Sequence, residues 1–265
     1  MARSLAPPLS LLQLGLVACL FFPLSLPAQT DQQSSNLPRY PSPNASAQEL
    51  EDQGDMLRAE KRYLDSVDFY KAAIAKKPSA LLWNKEGMAY LLLQRYDEAT
   101  KCFHQAVKMD KHNAAAYNNL GYMQYRSQKY GQALHYYQKA VSLNPQDAVF
   151  RYNIGSAYFA MHDYNRAAQA FRAAYQLDPD IFTRVSKTGI IAQTTSPEDR
   201  GAFSFMIAKM YAQAGDFKNS IEYLRKAMEE GYKHINKVYT DAEFASLRED
   251  PRFTELMAQK PQPIQ

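Results

Sequence analysis

A ladder of small and large residues recurs five times along this chain, and it restricts the possible folds more than any other feature. Gly54, Gly87, Gly121, Gly155 and Ala208 open the units, and Ser66, Ala99, Ala133, Ala167 and Ser220 follow twelve residues later. Four residues further on stand Tyr70, Phe103, Tyr137, Phe171 and Leu224, and three beyond those Ala73, Ala106, Ala140, Ala174 and Ala227. Each unit also places a ring between its first two rungs: Tyr63, Tyr96, Tyr130, Tyr164 and Phe217. The first four units recur every 33 or 34 residues, and the fifth arrives 19 residues late. A fixed period of this length means stacked units that bury their apolar faces only against their neighbours.

Within a unit the apolar residues keep helical spacing. Tyr117, Leu120, Gly121 and Gln124 share one face, as do Tyr130, Ala133, Leu134, Tyr137 and Ala140, so two amphipathic helices are joined by a short polar turn. Small residues at the first, second and fourth rungs let the backbones approach, and the large third rung fills the space between them. Pro78, Pro145 and Pro179 end the first, third and fourth units, because proline cannot continue a helix and biases the residue before it away from helical geometry.

With these residues in place the chain resembles the tetratricopeptide repeat family, whose units of about 34 residues carry a Trp, Leu-Gly, Tyr, Ala, Phe, Ala, Pro pattern. The third unit matches throughout, with Tyr117, Leu120-Gly121, Tyr130, Ala133, Tyr137, Ala140 and Leu143-Asn144-Pro145. The second has Trp83 and Gly87 but Lys111 where proline is usual, and the first puts Gln53 in the leucine slot. The resemblance covers residues 47–231 apart from an insertion. It implies an all-α fold, a right-handed superhelix of about five helix pairs that binds partners along a concave groove, with a C-terminal helical cap.

The expected organisation is a signal peptide over 1–28, a disordered linker over 29–46, four units over 47–181, an insertion over 182–196, a fifth helix pair over 197–231, and a cap and tail over 232–265. Arg3 is the only charge before Asp31, and Leu9 to Leu26 is almost wholly apolar, which reads as an export signal cleaved after Ala28. Leu16-Val17-Ala18-Cys19 offers the alternative of a lipoprotein anchored through Cys19, and an uncleaved anchor is the third possibility. The expected location is thus periplasmic or secreted, with membrane contact only through the signal or a lipid anchor. Residues 29–46 are polar and proline-bearing and cannot bury a core. Pro197-Glu198-Asp199 after Ser196 carries a helix-start signature, so a helix is expected from about Pro197. Phe244, Leu247 and Phe253 are expected to cover the open end of the last unit.

Little in the sequence reads as chemistry. The five histidines form no His-x-x-x-His pair, and no phosphate-binding loop is present, so no catalytic residue, metal or cofactor is expected. The 31 Lys and Arg are interspersed with 27 Asp and Glu, which gives no basic surface for a nucleic acid. With the signal removed, Cys102 is the one remaining cysteine, expected to be a buried inert thiol.

What remains is the groove that the resemblance implies. Carried over residue by residue, it is lined by Leu81, Asn84, Lys85, Met88, Leu91 and Leu92 in the second unit. The third contributes Asn118, Asn119, Tyr122, Tyr125 and Arg126, and the fourth Val149, Tyr152, Asn153, Ser156 and Phe159. Of these, Asn84, Met88, Leu91, Asn118, Asn119, Tyr122, Tyr125, Arg126, Tyr152, Asn153 and Phe159 are the candidate peptide-binding residues, with the rings expected to form contiguous apolar surface. The competing reading is of helix-surface residues that touch only each other or the C-terminal segment. The cationic clamp with which some relatives grip a C-terminal carboxylate is not matched, because its two possible registers hold Glu51, Asp55, Lys85, Ala115 and Asn119, or Asn84, Met88, Asn119, Val149 and Asn153. The expected function is a non-enzymatic protein- or peptide-binding adaptor of the bacterial cell envelope. A structural subunit of an outer-membrane or secretion assembly, and a module stacking sugars on Tyr122, Tyr125 and Tyr152, are the alternatives.

Overall fold

The computed structural model describes residues 40–183 and 197–259. Five helix pairs follow one another: α1 (Ala47–Ala59) with α2 (Tyr63–Lys76), α3 (Ala80–Leu92) with α4 (Tyr96–Met109), α5 (Ala114–Arg126) with α6 (Tyr130–Leu143), α7 (Ala148–Ala160) with α8 (Tyr164–Leu177), and α9 (Pro197–Gln213) with α10 (Phe217–Glu229). Three short 3-10 turns over residues 235–249 lead into α11 (Pro251–Gln259). No strand occurs among the described residues, and the fold is an all-α solenoid.

The ladder explains how each pair closes. A Cβ added to Gly54, Gly87, Gly121 or Gly155 would lie 2.6–2.7 Å from the ring of Tyr70, Phe103, Tyr137 or Phe171, so the ring of the second helix rests on bare backbone of the first. In the fifth pair the opening residue has a methyl group and the filler is smaller: Ala208 and Leu224, both fully buried. Ser220, a small second rung, returns its hydroxyl to the Ala208 carbonyl at 2.8 Å.

The turn inside each pair is equally regular. Lys61, Gln94, Gln128 and His162 each take a φ near +60°, and Gly215 takes +77°, so every unit reverses through a left-handed residue at the same place. Between units the next first helix is capped by a side chain: Ser46, Ser79, Asn113 and Asp147 for α1, α3, α5 and α7. At α1 this is a reciprocal box, since Glu49 accepts from the Ser46 amide at 2.7 Å while Ser46 accepts from that of Glu49. Lys76 also reaches the Pro43 carbonyl at 2.7 Å, so residues 43–46, placed in the linker from the sequence, are fastened to the first unit.

The stacking changes after α8. Helices α2 and α3, α4 and α5, and α6 and α7 pack closely, whereas α8 and α9 touch far less. Phe182, the first residue of the insertion, and Phe203 of α9 fill the difference. The Phe182 ring lies 5.6 Å from Tyr152, 5.9 Å from Phe171 and 6.0 Å from Tyr211, and Phe203 lies 5.4 Å from Phe171. At the far end Phe205 stacks on Tyr232 at 4.7 Å and meets Phe244 at 5.4 Å, while Phe244, Leu247, Phe253 and Leu256 are buried. The signal and most of the linker, and residues 184–196 of the insertion, lie outside the described residues.

Candidate peptide-binding groove

The first helices stand side by side, and polar bonds between equivalent positions fix their register. Lys85, the sixth residue of α3, donates to Glu51, the fifth of α1, at 2.5 Å, and also to Asp55 at 2.5 Å. Asn119, the sixth of α5, donates to Asn84, the fifth of α3, at 2.9 Å. Asn153, the sixth of α7, donates to Asn118, the fifth of α5, at 2.8 Å. One position thus reaches back to its neighbour in the preceding unit three times in succession, and residues flanking the bonds share a face.

The first of these joints is charged and the other two are neutral. Burial alone would raise the Asp55 carboxyl, but hydrogen bonds from Lys85 and Tyr70 outweigh it and hold the group below its ordinary value. Tyr70 donates to Asp55 at 2.7 Å and accepts from Arg58 at 3.1 Å, which ties the third-rung ring of the first unit into the same network.

Exposure along this face falls from unit to unit. In α1 the acidic positions are open or half-buried. In α3, Leu81 is 52% and Leu92 45% exposed, Met88 is half-buried and Leu91 is buried. In α5, Tyr122 is half-buried and Arg126 exposed, its guanidinium 4.0 Å from the centre of the Tyr96 ring. In α7, Val149, Tyr152, Asn153, Ser156 and Phe159 are all buried.

Several expected groove residues are therefore not accessible surface. Phe159 is 1% exposed, with its ring edge-on to Phe203 at 5.6 Å and Tyr164 at 5.3 Å. Tyr152 is covered by Phe182, whose carbonyl also accepts from Tyr223 at 3.3 Å. Tyr125 is 8% exposed and packs on Tyr130 at 5.3 Å, and burial pushes both the Tyr125 and Tyr152 hydroxyls well above the usual phenol range. Asn84, Asn118, Asn119 and Asn153 are buried and each gives one amide atom to another of the four, as the competing sequence reading allowed, while Asn118 Nδ2 and Asn119 Oδ1 have no hydrogen-bond partner among the described residues. The contiguous wall of four rings does not form, because the chain's own Phe182 and Phe203 occupy it at the fourth unit. Only Tyr122 of the three proposed sugar-stacking rings keeps partial exposure. Leu81, Met88, Leu92, Tyr122 and Arg126 keep exposed or half-exposed surface on this face.

Elsewhere the polar chemistry is structural. Glu86, in the leucine slot of the second unit, is 3% exposed; burial raises its carboxyl above the ordinary range, against the opposing pull of Lys71. The buried Cys102 thiol is pushed up to about 12, by burial first and then by Glu86, so it is not a nucleophile at neutral pH. A second concavity of about 880 Å³ lies between α8, α9 and residues 230–243. Lys209 closes one side of it by pairing with Asp241 at 2.8 Å and Glu243 at 3.3 Å. Among the described residues no group of metal-ligating side chains comes together, and no helix is long and apolar enough to cross a membrane.

Comparison with known proteins places this geometry. A family model described as tetratricopeptide repeat matches residues 84–148, and another, the fourth ARM domain of tetratricopeptide repeat protein 21, matches residues 117–250. No curated protein matches. Among solved structures, MamA is 21% identical over 69% of this chain and 96% of its own, with a TM-score of 0.46. MamA from residue 41 onward of Desulfovibrio magneticus RS-1 is 19% identical over 69% and 94%, with a TM-score of 0.48. YrrB, described as a TPR protein with an unusual peptide-binding site, is 20% identical over 74% and 91%, with a TM-score of 0.46.

Proposed function

The chain belongs to the tetratricopeptide repeat family, and from that premise we propose that it is an exported, non-enzymatic scaffold that binds a protein or peptide segment on the first-helix face of units one to three. One observation carries the reading. Leu81, Met88 and Leu92 recur on one side of α3 beside Tyr122 of α5, and they stay partly or largely exposed while the same face is filled at α7. A row of apolar side chains left open on an otherwise well-packed surface is the ordinary mark of an interaction site. YrrB is described as binding peptide, and this reading carries that mode of action to the present chain.

The envelope assignment rests on the apolar stretch Leu9 to Leu26, with its single preceding charge and the Pro27-Ala28 boundary. N-terminal mass spectrometry of the expressed protein should find Gln29 at or near the start, and an acylated Cys19 would replace export with lipid anchoring. The binding reading is tested by partner capture from an envelope fraction with wild type and with the Leu92→Asp, Tyr122→Ala double variant. Loss of captured partners with an unchanged circular dichroism spectrum is expected. Undiminished capture would move the site off this face.

A further inference from the structure

The open part of the face carries opposite charges at its two ends. Its charged side chains are Glu51, Asp52, Asp55 and Arg58 on α1, Lys85 on α3 and Arg126 on α5. Lys85 lies between Glu51 and Asp55, and Arg58 pairs with Asp55 at 3.4 Å, so these two carboxylates take both cations at the unit-one end. The carboxylate left over is Asp52. It is exposed and bonded to the neutral Gln48 amide at 2.9 Å. Register explains its freedom: Asp52 is the sixth residue of α1, the position from which Lys85, Asn119 and Asn153 reach back to a preceding unit, and α1 is the first helix of the described stack. At the unit-three end the exposed Arg126 lies over Tyr96, and no carboxylate among the described residues is within ion-pair distance. Leu81, Met88, Leu92 and Tyr122 lie between the two.

Resting on the reading of this face as the partner site, we infer that it takes a segment with an apolar centre, a cation toward unit one and an anion toward unit three. The apolar centre covers the α3 stripe. The flanking charges meet Asp52 and Arg126, and a partner with like charge at either end faces repulsion where the apolar contact draws it in. The amide ladder is buried between the helices, so selectivity falls to these two exposed ends.

Three synthetic peptides with a common leucine- and phenylalanine-rich centre test this: one with a lysine pair at one end and a glutamate pair at the other, one with lysine at both ends, and one with glutamate at both. Fluorescence anisotropy with the full chain at low salt should rank the mixed peptide tightest, by about five-fold, as exposed ion pairs allow. Asp52→Asn should weaken the mixed and all-lysine peptides and spare the all-glutamate one; Arg126→Gln should weaken the mixed and all-glutamate peptides and spare the all-lysine one. Equal affinities, or indifference to both substitutions, overturn the charge assignment. Leu92→Asp separates the two failures. If all three peptides bind alike and all are lost on Leu92→Asp, the site stands and the charge inference falls; if none binds, or binding survives Leu92→Asp, the site reading fails and the inference with it.

Discussion

Replacing Gly121 by alanine tests the logic of the ladder, because two effects of known size oppose each other there. A Cβ on Gly121 would lie 2.6 Å from Cδ1 and Cε1 of Tyr137 and 3.2 Å from the Ala133 carbonyl oxygen. Tyr137 is fully buried, so the ring cannot swing out to make room. Overpacking of this kind costs about 1–3 kcal/mol, while alanine in place of glycine in a helix interior returns up to about 1 kcal/mol. Gly121→Ala should therefore lower stability by up to about 2 kcal/mol, the difference of those two figures. In a Tyr137→Leu background the obstructing ring is gone and the unit adopts the pairing that the fifth already has in Ala208 and Leu224. There the same glycine-to-alanine change meets only the Ala133 carbonyl oxygen at 3.2 Å and should be less destabilising than in the wild type by about 1–3 kcal/mol, the overpacking cost of the ring. Urea unfolding of the four proteins of this cycle, followed by far-ultraviolet circular dichroism, measures the coupling, and a shared slope shows that one transition is being compared. If Gly121→Ala costs the same with and without the ring, the glycine is not there to admit it, and the account of pair closure fails.

Three further outcomes are expected. Gly215→Ala meets no neighbouring atom, so its cost, about 1 kcal/mol in the same urea assay, is that of the left-handed backbone alone; a neutral result would refute the turn argument. For Glu86, a carboxyl with a raised folded-state value contributes its full stability below the unfolded carboxylate range and loses it as pH rises through the folded value. Glu86→Gln should thus be more stable than wild type at neutral pH, by about 1–3 kcal/mol as for relief of a buried charge, with the gap closing near pH 4; a gap independent of pH would remove the titration as cause. Truncation after Gly231 strips Tyr232 and Phe244 from Phe205 and should lower the melting temperature and promote aggregation, and an unchanged melting curve would show that the tail does not support the stack.

The sequence exposes those parts of the fold that repeat. Glycine paired with a ring sixteen residues later is visible because nothing larger than a hydrogen fits beneath that ring, and the start of α9 at Pro197 is visible in its own first turn. The groove was legible in position but not in accessibility. Asn119 and Asn153 are placed on the groove by their position in the repeat, yet whether an amide faces a ligand or the next helix depends on its partner 35 residues away. Tyr152 and Phe159 are covered by Phe182, which opens the insertion and so has no counterpart in the other units, and by Phe203, which belongs to the unit that the insertion displaces. An apolar ring at the start of an off-period stretch was the available signal, and a repeat-based reading passes over it.

The three bonds that tie each first helix to the one before it differ in what can undo them. The Asn119–Asn84 and Asn153–Asn118 joints are amide to amide and buried, so neither salt nor acid has a charge to act on. The Lys85 joint is ionic and about one-sixth exposed at the lysine, where dissolved ions compete with it. With Asp55 held low and Lys85 held high, its contribution is complete between the ordinary carboxylate and ammonium ranges, fading as acid titrates Asp55 through its lowered value or as base removes the lysine proton beyond its raised one. The register of the stack is thus set by charge at one end and by neutral amides in its middle. Salt and extremes of pH act on the joint between units one and two and find no charge in the two joints between units two and four.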